Sequence, residues 1–214
     1  MRKALTLLAA SLLSLALTSA YAANTTPSTQ NELTEAEMEH LVFMREEEKL
    51  ARDTYLTLAN HWGLKVFSNI ARSEQKHMDT LAGLLKRYGL QDPVTDDSVG
   101  AFVNPMLDAL YDELVAQGNI SLLEALYVGA LIEEIDIIDL EEASEDALQA
   151  DIILAYENLM AGSENHLRAF VGQIETLGIE YLPQVLEPEE LDSILGRSTD
   201  GRFRINPGLN DAWS

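Results

Sequence analysis

Residues 67–89, FSNIARSEQKHMDTLAGLLKRYG, set Phe67, Ile70, Glu74, His77, Leu81, Leu84 and Tyr88 at alternating steps of three and four. That spacing holds side chains on one face of an α-helix. The face is apolar toward both ends and carries a carboxylate and an imidazole side by side in its middle. Whatever buries it must also satisfy those two groups, because an unpaired buried carboxylate is strongly destabilising.

Other segments repeat the arrangement. In the first, Thr34 and Glu37 have capping-box spacing, Leu33 and Met38 are placed for a hydrophobic staple, and Leu41, Met44, Glu48, Ala51, Tyr55, Leu58 and Trp62 form the stripe up to a stop at Gly63. A third helix, capped by Ser121, carries Leu123, Leu126, Ala130, Glu133, Ile137 and Leu140; its length and lack of turn residues outweigh an isoleucine content that would suit a strand. The fourth, from about Asp146 to Leu177, carries Ile152, Tyr156, Leu159, Ser163, His166, Phe170, Gln173 and Leu177. Each stripe is interrupted near its middle by a polar group.

The connections pair these helices. LQDPVTDDSVG reads as a linker, and NPMLDALYDELVAQGN as a short helix in the crossover, with Pro105 in its first turn and Gly118 past its end. Another short helix is expected from Pro188, and residues 197–214 read as an irregular tail. Two helix pairs with a longer connection between them predict an all-α bundle over residues 33–196.

Ahead of it, residues 1–22 have a basic start at Arg2 and Lys3, an apolar run and a small-x-small site at Ala20-Tyr21-Ala22. This reads as a signal peptide followed by a polar leader at 23–32, so a secreted or periplasmic protein is expected, with no membrane anchor after cleavage. The apolar run is shorter than the about 20 residues that span a bilayer. Cysteine is absent, so disulfides contribute nothing. Asp and Glu number 36 against 14 Lys and Arg, which argues against nucleic acid as a partner and toward cations, although most of these charges are accounted for as a solvated surface.

With Glu48, Glu74, His77, Glu133 and His166 on the core stripes and few Arg or Lys beside them, a divalent metal is the economical solution. Oxygen and imidazole donors suit iron, manganese or zinc. Glu and His three apart project from one side of a helix and can hold one ion, while a carboxylate from a facing helix bridges to a second. A second E-x-x-H, Glu37 to His40, is better explained by the capping box and a helix-start His; His61 suits a helix C-terminus. Within the run Glu46-Glu47-Glu48 the phase assigns Glu48 to the core and leaves Glu46 and Glu47 to solvent. Arg52 and Asp53 suit either an interhelical pair that orients ligands or a solvated pair.

The segment EKLARDTY, Glu48 to Tyr55, resembles the first-helix E-x-x-x-R-x-x-Y of rubrerythrins, and EQKH, Glu74 to His77, is similar to the E-x-x-H on helix two of ferritin-like di-iron proteins. EEID sets Glu133 and Asp136 at the spacing of the paired acids on rubrerythrin's third helix, and His166 stands where the fourth helix supplies its histidine. Over roughly residues 34–178 the chain resembles an exported, ferritin-like family of unassigned function.

That resemblance implies a ferritin-like four-helix bundle with a dinuclear iron or manganese centre that reacts with dioxygen or peroxide, or oxidises ferrous iron. The implied ligands are Glu48, Glu74, His77, Glu133, Asp136 and His166, with Glu134 as an alternative to Glu133. The chain departs from the pattern at Ser163, where a Glu is expected three residues before the second histidine, so one-ion and two-ion centres both stay open. Tyr55 and Tyr156 fall on the stripes as supports for the ligands or as core aromatics. The competing functions are a di-metal oxidoreductase, a non-catalytic metal-binding or buffering protein, and a metal-free adaptor whose acids pair with Arg52, Arg72 or Arg168; pairing of bundles into a homodimer is also open.

Overall fold

A computed structural model describes residues 32–197, so the signal peptide at 1–22, the leader up to residue 31 and the tail from 198 lie outside the described residues. The described residues are all-helical, with six helices and no strand. They are α1 (Glu35–Trp62), α2 (Lys65–Tyr88), α3 (Pro105–Gly118), α4 (Leu122–Asp146), α5 (Ala150–Thr176) and α6 (Pro188–Leu195).

Local chemistry sets most of these boundaries. The Thr34 hydroxyl accepts from the Glu37 amide at 3.1 Å and the Glu37 carboxylate accepts from the Thr34 amide at 2.9 Å, closing the capping box. Gly63 and Gly89 end α1 and α2 with φ of 67° and 70°, a left-handed conformation that favours glycine. Ser121 caps α4 by accepting from the Glu124 amide.

Two boundaries differ from the sequence reading. Gly118 is the last residue of α3 rather than the one after it; a Cβ there would meet Leu58 Cδ2 at 2.6 Å, so glycine lets α3 close onto α1. The fourth long helix begins at Ala150, not near Asp146, which ends α4. The break is held by Glu37, whose second oxygen accepts from the amides of Leu148 and Gln149 at 2.8 and 2.9 Å. The α1 cap therefore also binds the start of α5.

The long helices pack in a ring: α1 against α2 and α4, and α5 against α4 and α2. Helix α3 lies across α1 and α4, and α6 rests on α5. Apolar stripes fill the ring as two clusters, one around Leu41, Met44, Leu81, Leu140 and Leu159, the other around Tyr55, Leu58, Phe67, Leu131 and Phe170. On α1, α2 and α5 the polar interruption falls between them, and on α4 Glu133 enters the same layer from within the second cluster. The core is divided by a polar layer that all four helices enter.

Helix α4 is buried on every face from Ala125 to Ile137. Neighbouring helices cover it, and the chain before α6 lies over Glu134. The exposed side expected for Glu46 and Glu47 is also covered: both are 4% exposed. Glu46 accepts from the amides of Val103 and Asn104, so the α2–α3 crossover folds over the face of α1 that phase alone assigns to water.

Candidate metal centre

Glu48 from α1, Glu74 and His77 from α2, Glu133 from α4 and His166 from α5 converge in the polar layer. Their donor atoms form two groups, Glu48–Glu74–His77 and Glu74–Glu133–His166, each with its atoms within 4.8 Å of one another. Glu74 belongs to both: Oε2 lies 2.8 Å from His77 Nδ1 and Oε1 lies 2.8 Å from His166 Nδ1. His77 Nδ1 also faces Glu48 at 3.2 Å, and His166 Nδ1 faces Glu133 at 3.4 Å. The imidazoles stack with centroids 5.6 Å apart.

The carboxylate side chains are 1–2% exposed and the imidazoles 10–11%, so solvent reaches this cluster from the histidine side. Glu74 Oε1 and His166 Nδ1 are close yet misaligned for a hydrogen bond, and Glu48 Oε1 has no donor. Buried polar atoms without partners are uncommon in proteins, and these face a shared centre of carboxylate and imidazole donors. A divalent transition-metal ion fits that donor set.

The cluster's ionisation follows from its crowding. Burial pushes the Glu48 carboxyl up to about 7 against the pull of His77. Burial and the charge of Glu74 push Glu133 up to about 7, opposed by His166 and the Tyr55 hydroxyl. Glu74 is raised by burial too, but the flanking imidazoles outweigh it and hold it at about 2. Burial works against charging His77 and His166, but Glu48 with Glu74 and Glu133 with Glu74 raise them to about 11 and 10. Without metal, two imidazolium protons therefore stand where cations would neutralise the carboxylates.

Other candidates divide by where their helices leave them. Tyr55, fully buried, donates to Glu133 Oε1 at 2.6 Å and fixes that carboxylate. Asp136 lies beside the two groups rather than in either, because the buried Ser163 hydroxyl donates to its Oδ2. The residue at the point of departure on α5 thus supplies a donor that positions an acid of α4. Glu134 points away: it accepts from Tyr181 Oη at 2.6 Å and from the amides of Gln184, Val185 and Leu186. Tyr156 is buried in the cluster around Met44, with Glu37 as its charged neighbour and no partner for its hydroxyl.

Arg52, Arg72 and Arg168 do not serve the central acids. Arg72 bonds Asn69, and Arg168 bonds Glu164 and the Ile194 carbonyl. Arg52 pairs with Asp53 and Asp97, and Asp53 in turn holds Lys49 and the Gly100 amide. Arg52 and Asp53 are thus buried, not solvated, and clamp the crossover to α1. His40 pairs with Asp146 at 3.1 Å near the surface, and His61 packs edge-on against Trp62 at the end of α1.

One contributor escaped the sequence reading. A Cβ on Gly162 would lie 2.7 Å from His77 Nε2, so only glycine lets α5 approach that imidazole this closely. A glycine inside a long helix costs about 1 kcal/mol relative to alanine, and that cost was the available signal.

Fold and cluster together define a helical domain built around buried carboxylate–imidazole sites that share one glutamate. The chain belongs to the family described as "Uncharacterized protein domain (DUF2202)", whose model matches residues 37–198. It is similar to uncharacterized protein MJ0754 of Methanocaldococcus jannaschii, 51% identical over 168 residues that cover 78% of this chain and 91% of the relative. It is also similar to the crystal structure of hypothetical protein MJ0754 from Methanococcus jannaschii DSM 2661, with a TM-score of 0.76 and 49% identity over 82% of this chain and 99% of that one.

Proposed function

We propose that this is an exported ferritin-like protein that binds two iron or manganese ions and acts as an oxidoreductase toward dioxygen, peroxide or ferrous iron. The observation that carries the reading is Glu74, whose two oxygens each face a different histidine at 2.8 Å, the disposition needed of a carboxylate that bridges two ions. Glu48 and His77 would complete one site, and Glu133 and His166 the other. When bound, a ferrous pair supplies two electrons for reduction of dioxygen or peroxide.

The chain's own residues prepare that chemistry. Tyr55 holds Glu133 in one orientation, and Ser163 holds Asp136 alongside. The apolar clusters above and below exclude bulk water, which strengthens every charge interaction in the layer. The slightly exposed imidazole edges offer passage to small reactants.

Binding without turnover is the second reading, favoured by Ser163: α5 contributes one histidine and no carboxylate to the two groups. The test is elemental analysis of the chain from Ala23, prepared without a His tag, followed by exposure of the ferrous form to air or peroxide. Two ions per wild-type chain, at most one in His77→Ala, and an optical change on oxidation support the oxidoreductase. Stoichiometric metal with no oxidant consumption supports buffering. Unchanged metal content in His77→Ala refutes both.

A further inference from the structure

Because α4 is buried on every face from Ala125 to Ile137, no apolar stripe fixes its roll about its own axis. The roll matters most at one place. Glu133 and Glu134 are chemically alike and about 100° apart round the helix, and only Glu133 joins the Glu/His groups. On that side two groups meet it: the Tyr55 hydroxyl donates to Oε1 at 2.6 Å, and His166 Nδ1 faces Oε2 at 3.4 Å.

Glu134 is held by more donors. It is completely buried, and residues of the connection between α5 and α6 close on it. The successive amides of Gln184, Val185 and Leu186 donate to its Oε2 at 2.8, 2.7 and 3.1 Å, and the buried Tyr181 hydroxyl donates to its Oε1 at 2.6 Å. Successive amides aimed at one point make an anion-binding concavity, and main-chain donors covered in this way need an acceptor. The cradle is braced on α4 a second time: Gln184 Nε2 donates to the Tyr127 carbonyl at 2.8 Å and to the Tyr181 hydroxyl at 3.0 Å, and the Tyr127 and Tyr181 rings lie 5.5 Å apart. Tyr127 and Glu134 are seven residues apart, two turns along one side of the helix. Attachment at both points opposes rotation of α4.

We propose that Glu134 is a positioning residue: its amide cradle sets the roll of α4 and thereby places Glu133 in the polar layer. The bearing on metal rests on the two-ion reading above, in which Glu133 and His166 complete the second site. A connection that supplies no ligand then governs that site and spares the other, because Glu48, Glu74 and His77 come from α1 and α2.

The experiment is a double-mutant cycle of Tyr55→Phe with Glu134→Ala on the metal-free chain from Ala23, read by thermal unfolding, with manganous-ion binding to each variant counted by equilibrium dialysis. Residues with independent roles give additive losses of melting temperature. If the cradle places Glu133, the loss caused by Tyr55→Phe falls to about half or less in Glu134→Ala, because Glu133 no longer stands against the phenol. The Glu134→Ala chain also keeps one manganous equivalent at wild-type affinity and holds the other about 10–100-fold more weakly. Should Glu134→Ala fail to fold, Tyr181→Phe removes one donor of the cradle and carries the same cycle, with the same direction in both readouts. Additive losses overturn the inference whatever the manganese does; additive losses with two tight equivalents in wild type leave the two-ion reading standing. Coupled losses in a chain that binds no manganese do the reverse, supporting the placement of Glu133 and removing the metal.

Discussion

Tyr55→Phe removes one oxygen from the core and leaves the ring packed against Phe67 and Phe170, at centroid distances of 6.4 and 5.2 Å. The lost contact is the 2.6 Å hydrogen bond to Glu133, a buried carboxyl whose other oxygen faces His166 at 3.4 Å. A hydrogen bond to a charged group contributes about 1.5–3 kcal/mol. At about 2–4 °C per kcal/mol for a domain of this size, the chelator-treated variant melts about 3–12 °C below wild type.

The pH dependence has a definite sign. The phenol hydroxyl holds Glu133 down, so its removal raises that carboxyl above about 7. The folded variant then binds more protons than folded wild type across that range, and the stability gap widens as pH rises from 5.5 to 8.5. Tyr156→Phe is the control: that hydroxyl is buried without a partner, so its loss is neutral or slightly stabilising. Thermal unfolding followed by circular dichroism distinguishes the cases. A Tyr55→Phe penalty below about 0.5 kcal/mol at both pH values, or one that shrinks as pH rises, would refute this account of Glu133.

Further expectations concern the metal and its surroundings. Without metal, the raised His77 and His166 contribute stability that is full below their ordinary 6.5 and is lost as pH climbs toward about 11 and about 10 respectively. Glu74 contributes above its ordinary 4.5 and loses this as pH falls toward about 2. Scanning calorimetry therefore finds the metal-free chain most stable in mild acid, whereas the gain from added manganous ion grows from pH 6 to 8 as metal displaces protons. At a hundredfold excess over Kd that gain is about 2.7 kcal/mol per site, and no gain at any pH would remove the metal. Gly162→Ala drives a methyl against His77 Nε2, so it lowers the metal-free melting temperature by displacing His77 from Glu48 and Glu74 and weakens manganese binding at least tenfold. Unchanged affinity would show that His77 does not need its present position.

Much of the architecture is written locally. The Thr34–Glu37 box, the stops at Gly63 and Gly89 and the three-and-four stripes depend on residues within a turn or two, so periodicity and capping chemistry disclose them. The same phase brings out Glu48, Glu74, His77, Glu133 and His166, because each interrupts an apolar stripe near its middle.

What escaped depends on partners far along the chain. Glu46 and Glu47 sit on a face that phase gives to solvent, and only the return of residues 97–104 over α1 and the approach of Asp139 from α4 bury that face. Glu133 and Glu134 are adjacent and chemically alike; packing sends one into the layer and the other to the amides of residues 184–186. The sequence by itself determined that helices would form and that their buried faces would carry unsatisfied acids and imidazoles, because both follow from the helical period. Only tertiary structure decided which oxygens meet, that Glu74 is shared, and that Ser163 serves Asp136, because those contacts arise when four helices converge on one layer.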